Sequence, residues 1–366
     1  MQDELYYQVA LTLVPELGAI RCRQLVDHFG SAAAVFKAKK KEIAAVEGIG
    51  EACARSIKEW NDFGEAETEI RFTEQHGIQT LFLTDAAYPQ RLLHCYDPPT
   101  LLYYTGNADC NHRYIISIIG TRNHTDYGRQ VTEQLVADLQ EQQVMIVSGL
   151  AFGIDAIAHR SALQYGLPTI GVLGHGLDTV YPMQHRSLAR EIAGQGALLT
   201  EFRRHTQPDK HNFPRRNRIV AGMADATIVI ETANKGGSMI TAELAYTYNR
   251  DLFAVPGKIT DSKSSGCLQL IKQNKAMVYT GAEDVLHILG WAEKKKPVIK
   301  KQKELFIELN PDEKIIVDLL SEQEGTPIDI LYLRSGLSSS TVAAVLLKLE
   351  LQNIVVSLPG KIYRLL

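Results

Sequence analysis

Between Tyr114 and Gly266 the chain repeats one event: a short apolar run ends in a glycine-rich or polar turn, and a pattern of helical spacing follows. Ile115 to Ile119 runs into Gly120-Thr121-Arg122-Asn123, Val144 to Val147 into Ser148-Gly149-Leu150-Ala151-Phe152-Gly153, and Ile170 to Leu173 into Gly174-His175-Gly176. Ile228 to Ile230 precedes Glu231 to Ser238, and Leu252 to Val255 precedes Pro256-Gly257-Lys258. Between the first two runs, Val131, Leu135, Val136 and Leu139 recur at helical spacing, so this unit reads as strand, crossover helix and parallel strand. The repeat predicts an α/β fold: a Rossmann-like, doubly wound, mostly parallel sheet with helices on both faces. Ligands of such sheets bind beyond the carboxyl ends of the strands, which is where all these turns would gather.

The turns are rich in groups suited to phosphate. Gly120 and Arg122 lie in the first, and Ser148, Gly149 and Gly153 in the second, where bare amides at a strand-to-helix junction can face an anion. From Arg203 to Arg218, the cations Arg203, Arg204, Lys210, Arg215, Arg216 and Arg218 face one acid, Asp209, with His205, His211 and Phe213 interleaved. Phe213-Pro214-Arg215-Arg216-Asn217-Arg218 precedes the apolar Ile219-Val220-Ala221, which assigns these cations to a turn and a helix start on the ligand side. Lys235, Gly237 and Ser238 follow, with Thr241 in the first turn of the next helix, and then Lys258 after a Pro-Gly turn. Several phosphate-competent turns on one edge suit an extended anion such as a nucleic-acid backbone. Neither a GxGxxG fingerprint nor a GxxxxGK[ST] loop is present, and no cofactor is expected.

The flanks read differently. Residues 1–75 show only helical spacing, and Val46 to Ile57 fits a helix-hairpin-helix, with Val14 to Arg21 as a degenerate copy. Proline-punctuated apolar runs in residues 76–112, Thr80 to Leu83 and Leu101 to Gly106, suggest extra strands joining the main sheet. Residues 291–305 hold six lysines around Pro297 and read as a linker. Beyond it, Pro311 to Leu320, Ile328 to Leu333 and Ser338 to Leu351 predict three helices, and two short apolar runs about Pro359-Gly360 a terminal hairpin: a winged helix. Its third helix carries only Lys348 as a cation, which favours protein interaction or weak DNA contact over sequence reading.

The net charge of −3 would not draw nucleic acid by bulk electrostatics. Residues 1–110 hold ten Lys/Arg against sixteen Asp/Glu, while 111–290 hold eighteen against sixteen, so a polyanion must be met by a local patch. The five cysteines form no CxxC pair, which speaks against a zinc site or a disulfide framework. No window approaches the roughly 18 apolar residues of a membrane span, and a cytoplasmic protein without membrane contact is expected.

Taken together, Ile119-Gly120-Thr121-Arg122, Ser148 to His159, Phe213 to Gly222, Gly237-Ser238-Met239-Ile240-Thr241-Ala242 and Val255-Pro256-Gly257 resemble the DNA-processing protein A family (DprA, also called Smf) of bacterial recombination mediators. The resemblance covers the central segment nearly end to end and in order. It implies an extended Rossmann-like domain (76–290) that dimerises, binds incoming single-stranded DNA, protects it and loads RecA onto it during natural transformation or recombination. It also fits a helical helix-hairpin-helix (SAM-like) domain (1–75) and a winged-helix (DML1-like) domain (306–366) at the ends. At matching positions, Arg122, Ser148, Gly149, Arg216, Arg218, Lys235, Ser238, Thr241 and Lys258 would line the strand pocket. This chain has Leu268 where members commonly carry Asn or His. Few aromatics are evident near these turns, so backbone-dominated, sequence-tolerant binding is expected, with base stacking secondary.

Two other readings compete. Nucleotide-cleaving enzymes on related sheets use a Gly-Gly-Thr turn and a downstream glutamate, and Gly236-Gly237-Ser238 with Glu243 echoes it, with Glu201 and Glu231 as further carboxylates. His159 and His175, at helix-face and turn positions, read as structural. A double-strand DNA-binding regulator would rest on the two end segments alone.

Overall fold

The computed structural model describes residues 2–292, 309–322, 325–352, 354–358 and 360–365. The chain divides into two compact units, residues 1–293 and 294–366. The first is built on strands β1 (Gln79–Phe82), β2 (Leu101–Gly106), β3 (Ile115–Ile119), β4 (Met145–Gly149), β5 (Thr169–Val172), β6 (Ala197–Thr200), β7 (Ala226–Val229), β8 (Asp251–Ala254) and β9 (Met277–Val278). They lie in one sheet ordered β1-β2-β6-β5-β4-β3-β7-β8-β9. From β6 to β9 every pairing is parallel, whereas β1 and β2 join antiparallel at one edge. The two proline-punctuated runs thus extend the sheet, as their apolar character predicts.

Period-two alternation explains why the sheet is covered on both sides. Ile115 and Ile119 of β3 belong to one core, with Met145 and Val147 of β4, while Ile116, Ile118 and Ile146 belong to another. Helices fill both faces. In chain order they are α1 (Gln2–Leu13), α2 (Ala19–Phe29), α3 (Ala32–Lys37), α4 (Lys40–Ala44), α5 (Gly50–Glu59), α6 (Phe63–Gln75) and α7 (Gln90–Leu93). There follow α8 (Asp126–Asp138), α9 (Ile154–Gln164), α10 (Arg186–Gln195), α11 (Asn212–Met223), α12 (Gly237–Thr247), α13 (Ser265–Lys272) and α14 (Ala282–Ile288). Residues of α8, α9 and α14 pack in the second core; those of α11, α12 and α13 pack in the first, which continues without a break into α1, α2 and α5.

Strands β6 and β9 do not stand out in the sequence. The Ala-Leu-Leu-Thr of β6 has Thr200 as its one β-branched residue, and β9 is two residues long. The cationic run is the larger difference. Helix α11 already begins at Asn212, with Pro214 tolerated in its first turn because that N–H would be free anyway. Arg203 and Arg204, at the start of the run, pair instead with Glu65 and Glu69 of α6, the latter at 3.2 Å, and join the helical segment to the end of β6.

The second unit contains α15 (Pro311–Ser321), α16 (Ile328–Arg334) and α17 (Ser339–Leu351), with strands β10 (Thr326–Pro327), β11 (Val355–Leu358) and β12 (Ile362–Leu365) ordered β10-β12-β11. This is the winged helix expected from the sequence. A capping box starts α15: Asn310 Oδ1 accepts from the Glu313 amide at 2.8 Å, and Glu313 Oε2 accepts from the Asn310 amide at 2.9 Å. Glu313 also takes Lys348 at 2.6 Å, so the cation of α17 is engaged within the unit, and that contact holds the Glu313 carboxyl below its ordinary value. The lysine-rich stretch read as a linker falls outside the described residues from position 293 onward, as does Pro359 of the terminal turn.

Candidate nucleic-acid interface

Strand order reverses at β3: the chain passes from β3 to β4 on one side, and β7 pairs on the other. Such a switch point opens a crevice at the carboxyl ends of the strands. Here that crevice measures about 720 Å³. It is lined by Gly120 and Arg122 after β3, Gly149 at the end of β4, Arg216 and Asn217 on α11, and Gly237, Ser238 and Thr241 at the start of α12. Eight of the sequence-selected residues, from four separate turns, therefore share one surface.

Six do not line it. Ser148 is fully buried, and its hydroxyl donates to the Ile118 carbonyl at 2.6 Å, stitching β4 to β3. Gly153, at φ +79°, holds the turns after β3 and β4 together; a Cβ there would lie 2.2 Å from the Thr121 carbonyl oxygen. Lys235 and Lys258 are exposed on their loops, outside the lining. Arg215 and Arg218 leave because α11 is helical through the whole motif. At 100° per residue, positions 215 and 218 share one face and 216 another. Both outer arginines go to Glu201 Oε2, at 3.3 and 2.5 Å, and Arg215 also stacks over Phe202 at 4.9 Å.

Arg216 takes the remaining direction, into the crevice floor. Only 6% exposed, it donates from Nη1 to the Val172 carbonyl at 2.5 Å and from Nε to Asn217 Oδ1 at 3.1 Å. Burial pulls its pKa down, and Asp155 counters this. Burial likewise pushes the Asp155 carboxyl up, opposed by the Arg216 charge and by the Ala151 amide. The amides of the turn after β4, a candidate anion site in the sequence, are thus partly spent on the chain's own carboxylate and on Thr121, whose carbonyl takes the Ile154 amide at 3.2 Å. Gly149 is glycine because a Cβ there would lie 2.2 Å from Arg216 Nη1 and 2.6 Å from Asp155 Oδ2.

Arg122 contrasts with Arg216. It is exposed, makes no ion pair among the described residues, and its Cζ stands 5.8 Å from the centroid of Phe213. Lys210, also exposed, shares the crevice without an ion pair. Phe213 and Tyr181 face each other at 5.9 Å, and Phe152, 43% exposed, borders an adjoining pocket with both. Phe213 stood out only as part of the cationic run, and the wall it forms was not legible in the sequence, since Phe152 and Tyr181 lie on two loops and Phe213 at the start of α11, far apart in the chain. Asp155 was likewise hidden inside the motif Gly153-Ile154-Asp155.

The carboxylates and histidines considered for catalysis have other engagements. Glu231 accepts from the amide of Thr125, the residue that caps α8, at 2.9 Å and from its hydroxyl, and Glu243 pairs with Lys275 at 2.7 Å. His159 is fully buried and its Nε2 lies 2.8 Å from the Gly149 carbonyl, which requires Nε2–H, while Nδ1 lies 2.7 Å from the Thr169 hydroxyl, whose one proton also faces the Ile146 carbonyl at 2.9 Å. Burial lowers its pKa from 6.5 to about 4. His175 uses the opposite tautomer: Nδ1 donates to the Gly176 carbonyl at 2.9 Å, and Nε2 accepts from the Tyr181 amide at 3.2 Å. Among the described residues no cluster of side chains is arranged to hold a metal, and no helix is long and apolar enough to cross a membrane.

Residues 79–290 match the family described as DNA recombination-mediator protein A; residues 304–361 match a DprA winged helix domain, and residues 9–68 a helix-hairpin-helix motif. The chain is 32% identical to Protein Smf of Synechocystis sp. over 99% of both chains, and 42% identical to DNA processing protein DprA of Streptococcus pneumoniae over 56% of this chain and 72% of that one. In three dimensions it is similar to the S. pneumoniae protein with a TM-score of 0.67 at 32% identity, covering 77% of this chain and 97% of the other. A second similar structure, with a TM-score of 0.53 at 32% identity over 58% and 95% of the respective chains, concerns the single-stranded DNA binding mode of DNA processing protein A from Helicobacter pylori.

Proposed function

Because the chain belongs to the DNA recombination-mediator protein A (DprA/Smf) family, we propose that it binds single-stranded DNA in the crevice at the β3/β7 switch point. There it shields the strand and presents it for loading of RecA. The observation that carries the reading is a pair of exposed cations without ion-pair partners among the described residues, Arg122 and Lys210, set beside the aromatic wall of Phe213 and Tyr181. Cations without carboxylate partners are free to neutralise phosphates, and aromatic faces accept any base. Neither feature selects a sequence, as suits a protein that must take whatever strand arrives. The H. pylori relative supports the ligand. A homodimer is part of the proposal, and the unpaired outer edge of β9, where Met277 and Val278 are 36% and 44% exposed, is a surface suited to it.

The test is an anisotropy titration of a labelled homopolymer single strand and a matched duplex at several salt concentrations. Wild type should prefer the single strand, and Arg122→Ala/Lys210→Ala should bind roughly tenfold or more weaker with a shallower salt slope, by about 0.7 per lost phosphate contact. Binding indifferent to salt and to both substitutions would overturn the reading and turn attention to nucleotide hydrolysis. RecA loading is read separately, as faster RecA filament growth on the same strand. Phe213→Ala should weaken binding by roughly fivefold to a hundredfold while leaving the salt slope unchanged, because stacking releases no counterions. A changed slope would mean that Phe213 serves only to hold Arg122.

A further inference from the structure

The two arginines that leave the crevice border a second concavity, of about 730 Å³, between α11, α12 and the beginning of α2. It is continuous with the crevice, because Pro214 and Ile240 line both. One wall is Ile240 and Leu244, one turn apart on α12; the facing wall is Ile20 and Arg21 of the helical segment. Ile20 and Ile240 are 48% and 44% exposed, so apolar surface stands open to solvent on both sides of the groove. Arg21 makes no ion pair among the described residues; its Nη1 donates to the Glu16 carbonyl at 3.1 Å. Arg215 and Arg218 are held by Glu201, and the carboxylates of Glu16 and Asp97 also line the groove, so its charge is nearly balanced. A groove of this composition suits the apolar face of a base, with a phosphate at one end.

Building on the crevice reading above, we propose that a single strand leaving the crevice continues over Pro214 and Ile240 into this groove, where Ile20, Ile240 and Leu244 receive a base and Arg21 a backbone phosphate. The degenerate hairpin Val14 to Arg21 thereby becomes part of the DNA path, through its side chains rather than through the glycine turn of Val46 to Ile57. Continuity with the crevice selects a strand over a protein partner: a nucleotide already bound between Phe213 and Ser238 has its neighbour delivered to the groove by its own backbone.

The experiment uses the full-length protein with oligothymidylates of about six and about eighteen nucleotides, lengths within and beyond a single binding patch. Ile20→Ser and Arg21→Ala alter exposed side chains outside the crevice. They should leave affinity for the short strand unchanged and weaken the long strand about tenfold, the loss of one stacked base. A long strand carrying 4-thiothymidine near one end should photocrosslink to the peptide that ends at Arg21. Unchanged long-strand affinity in both variants, with crosslinks only to crevice peptides, overturns the extension and leaves the groove to a protein partner. Arg122→Ala, run in parallel, separates the two levels: if it binds the short strand as wild type does, the crevice reading itself has failed.

Discussion

Arg216→Met is expected to abolish most single-strand binding and to destabilise the protein as well. The guanidinium is buried against the Val172 carbonyl at 2.5 Å, with Asp155 as its counter-charge. Methionine fills similar volume but leaves the Asp155 carboxylate without its cation and the Val172 oxygen without this donor. Leaving a buried, hydrogen-bonded carboxylate without its nearest cation, and a buried carbonyl without a donor, costs about 1 to 3 kcal/mol, and losing a desolvated cation that faces a phosphate costs about 2 to 3 kcal/mol, roughly a hundredfold, in affinity. The double variant Arg216→Met/Asp155→Asn distinguishes the two effects. Removing the orphaned charge should recover most of the melting temperature and none of the binding. Recovery of both would show that Arg216 is needed only to neutralise Asp155; wild-type binding by the single variant would remove Arg216 from the interface altogether.

Stability should also fall steeply in mild acid, and His159 should account for much of the fall. Its pKa in the folded chain, about 4, lies below the ordinary 6.5. Between those two values the unfolded chain binds a proton that the folded chain refuses, so stability rises with pH across this window and is fully present above it. The gap corresponds to about 3 kcal/mol lost as pH drops from 6.5 toward 4. Burial lowers His175 as well, in the same direction. His159→Gln cannot titrate. It should cost about 1 to 2 kcal/mol at neutral pH through poorer hydrogen bonds to Gly149 and Thr169, yet lose less on acidification. Carboxylates contribute below pH 5 in both proteins, so the difference between the two is the informative quantity. Both tryptophans, Trp60 and Trp291, lie in the first unit, and Trp291 stacks on Tyr114 at 4.5 Å, so urea titrations followed by fluorescence report on the relevant core. Parallel pH profiles for the two proteins would contradict the assignment.

The strand-turn-helix rhythm that announced the sheet is a local property, written in apolar runs whose alternate residues must be buried on two sides. That is why β3, β4, β5, β7 and β8 were legible, together with the turns that follow them. The winged helix was legible for the same reason, from helical spacing and a terminal pair of short runs. Residues that lie directly on such turns, Gly120, Arg122, Gly149, Gly237 and Ser238, came together in the crevice because strand ends in a parallel sheet share one edge.

What the sequence could not decide was direction. Whether an arginine serves the crevice or a carboxylate behind it depends on the helical phase of α11, which began at Asn212 and so sent Arg216 inward and Arg215 and Arg218 to Glu201. A charge run records how many cations are present and is silent on which of them already have partners. Arg203 and Arg204 found theirs on α6, more than a hundred residues earlier in the chain. The aromatic wall was invisible for the complementary reason: Phe152, Tyr181 and Phe213 meet only because the segments that follow β4, β5 and β6, including the first turn of α11, lie side by side at one end of the sheet. By itself the sequence determined the fold, the family and the edge on which the candidate site gathers, since these follow from short-range periodicity and motif order. The tertiary structure alone decided which side chains are free to act there, because availability is set by long-range pairing.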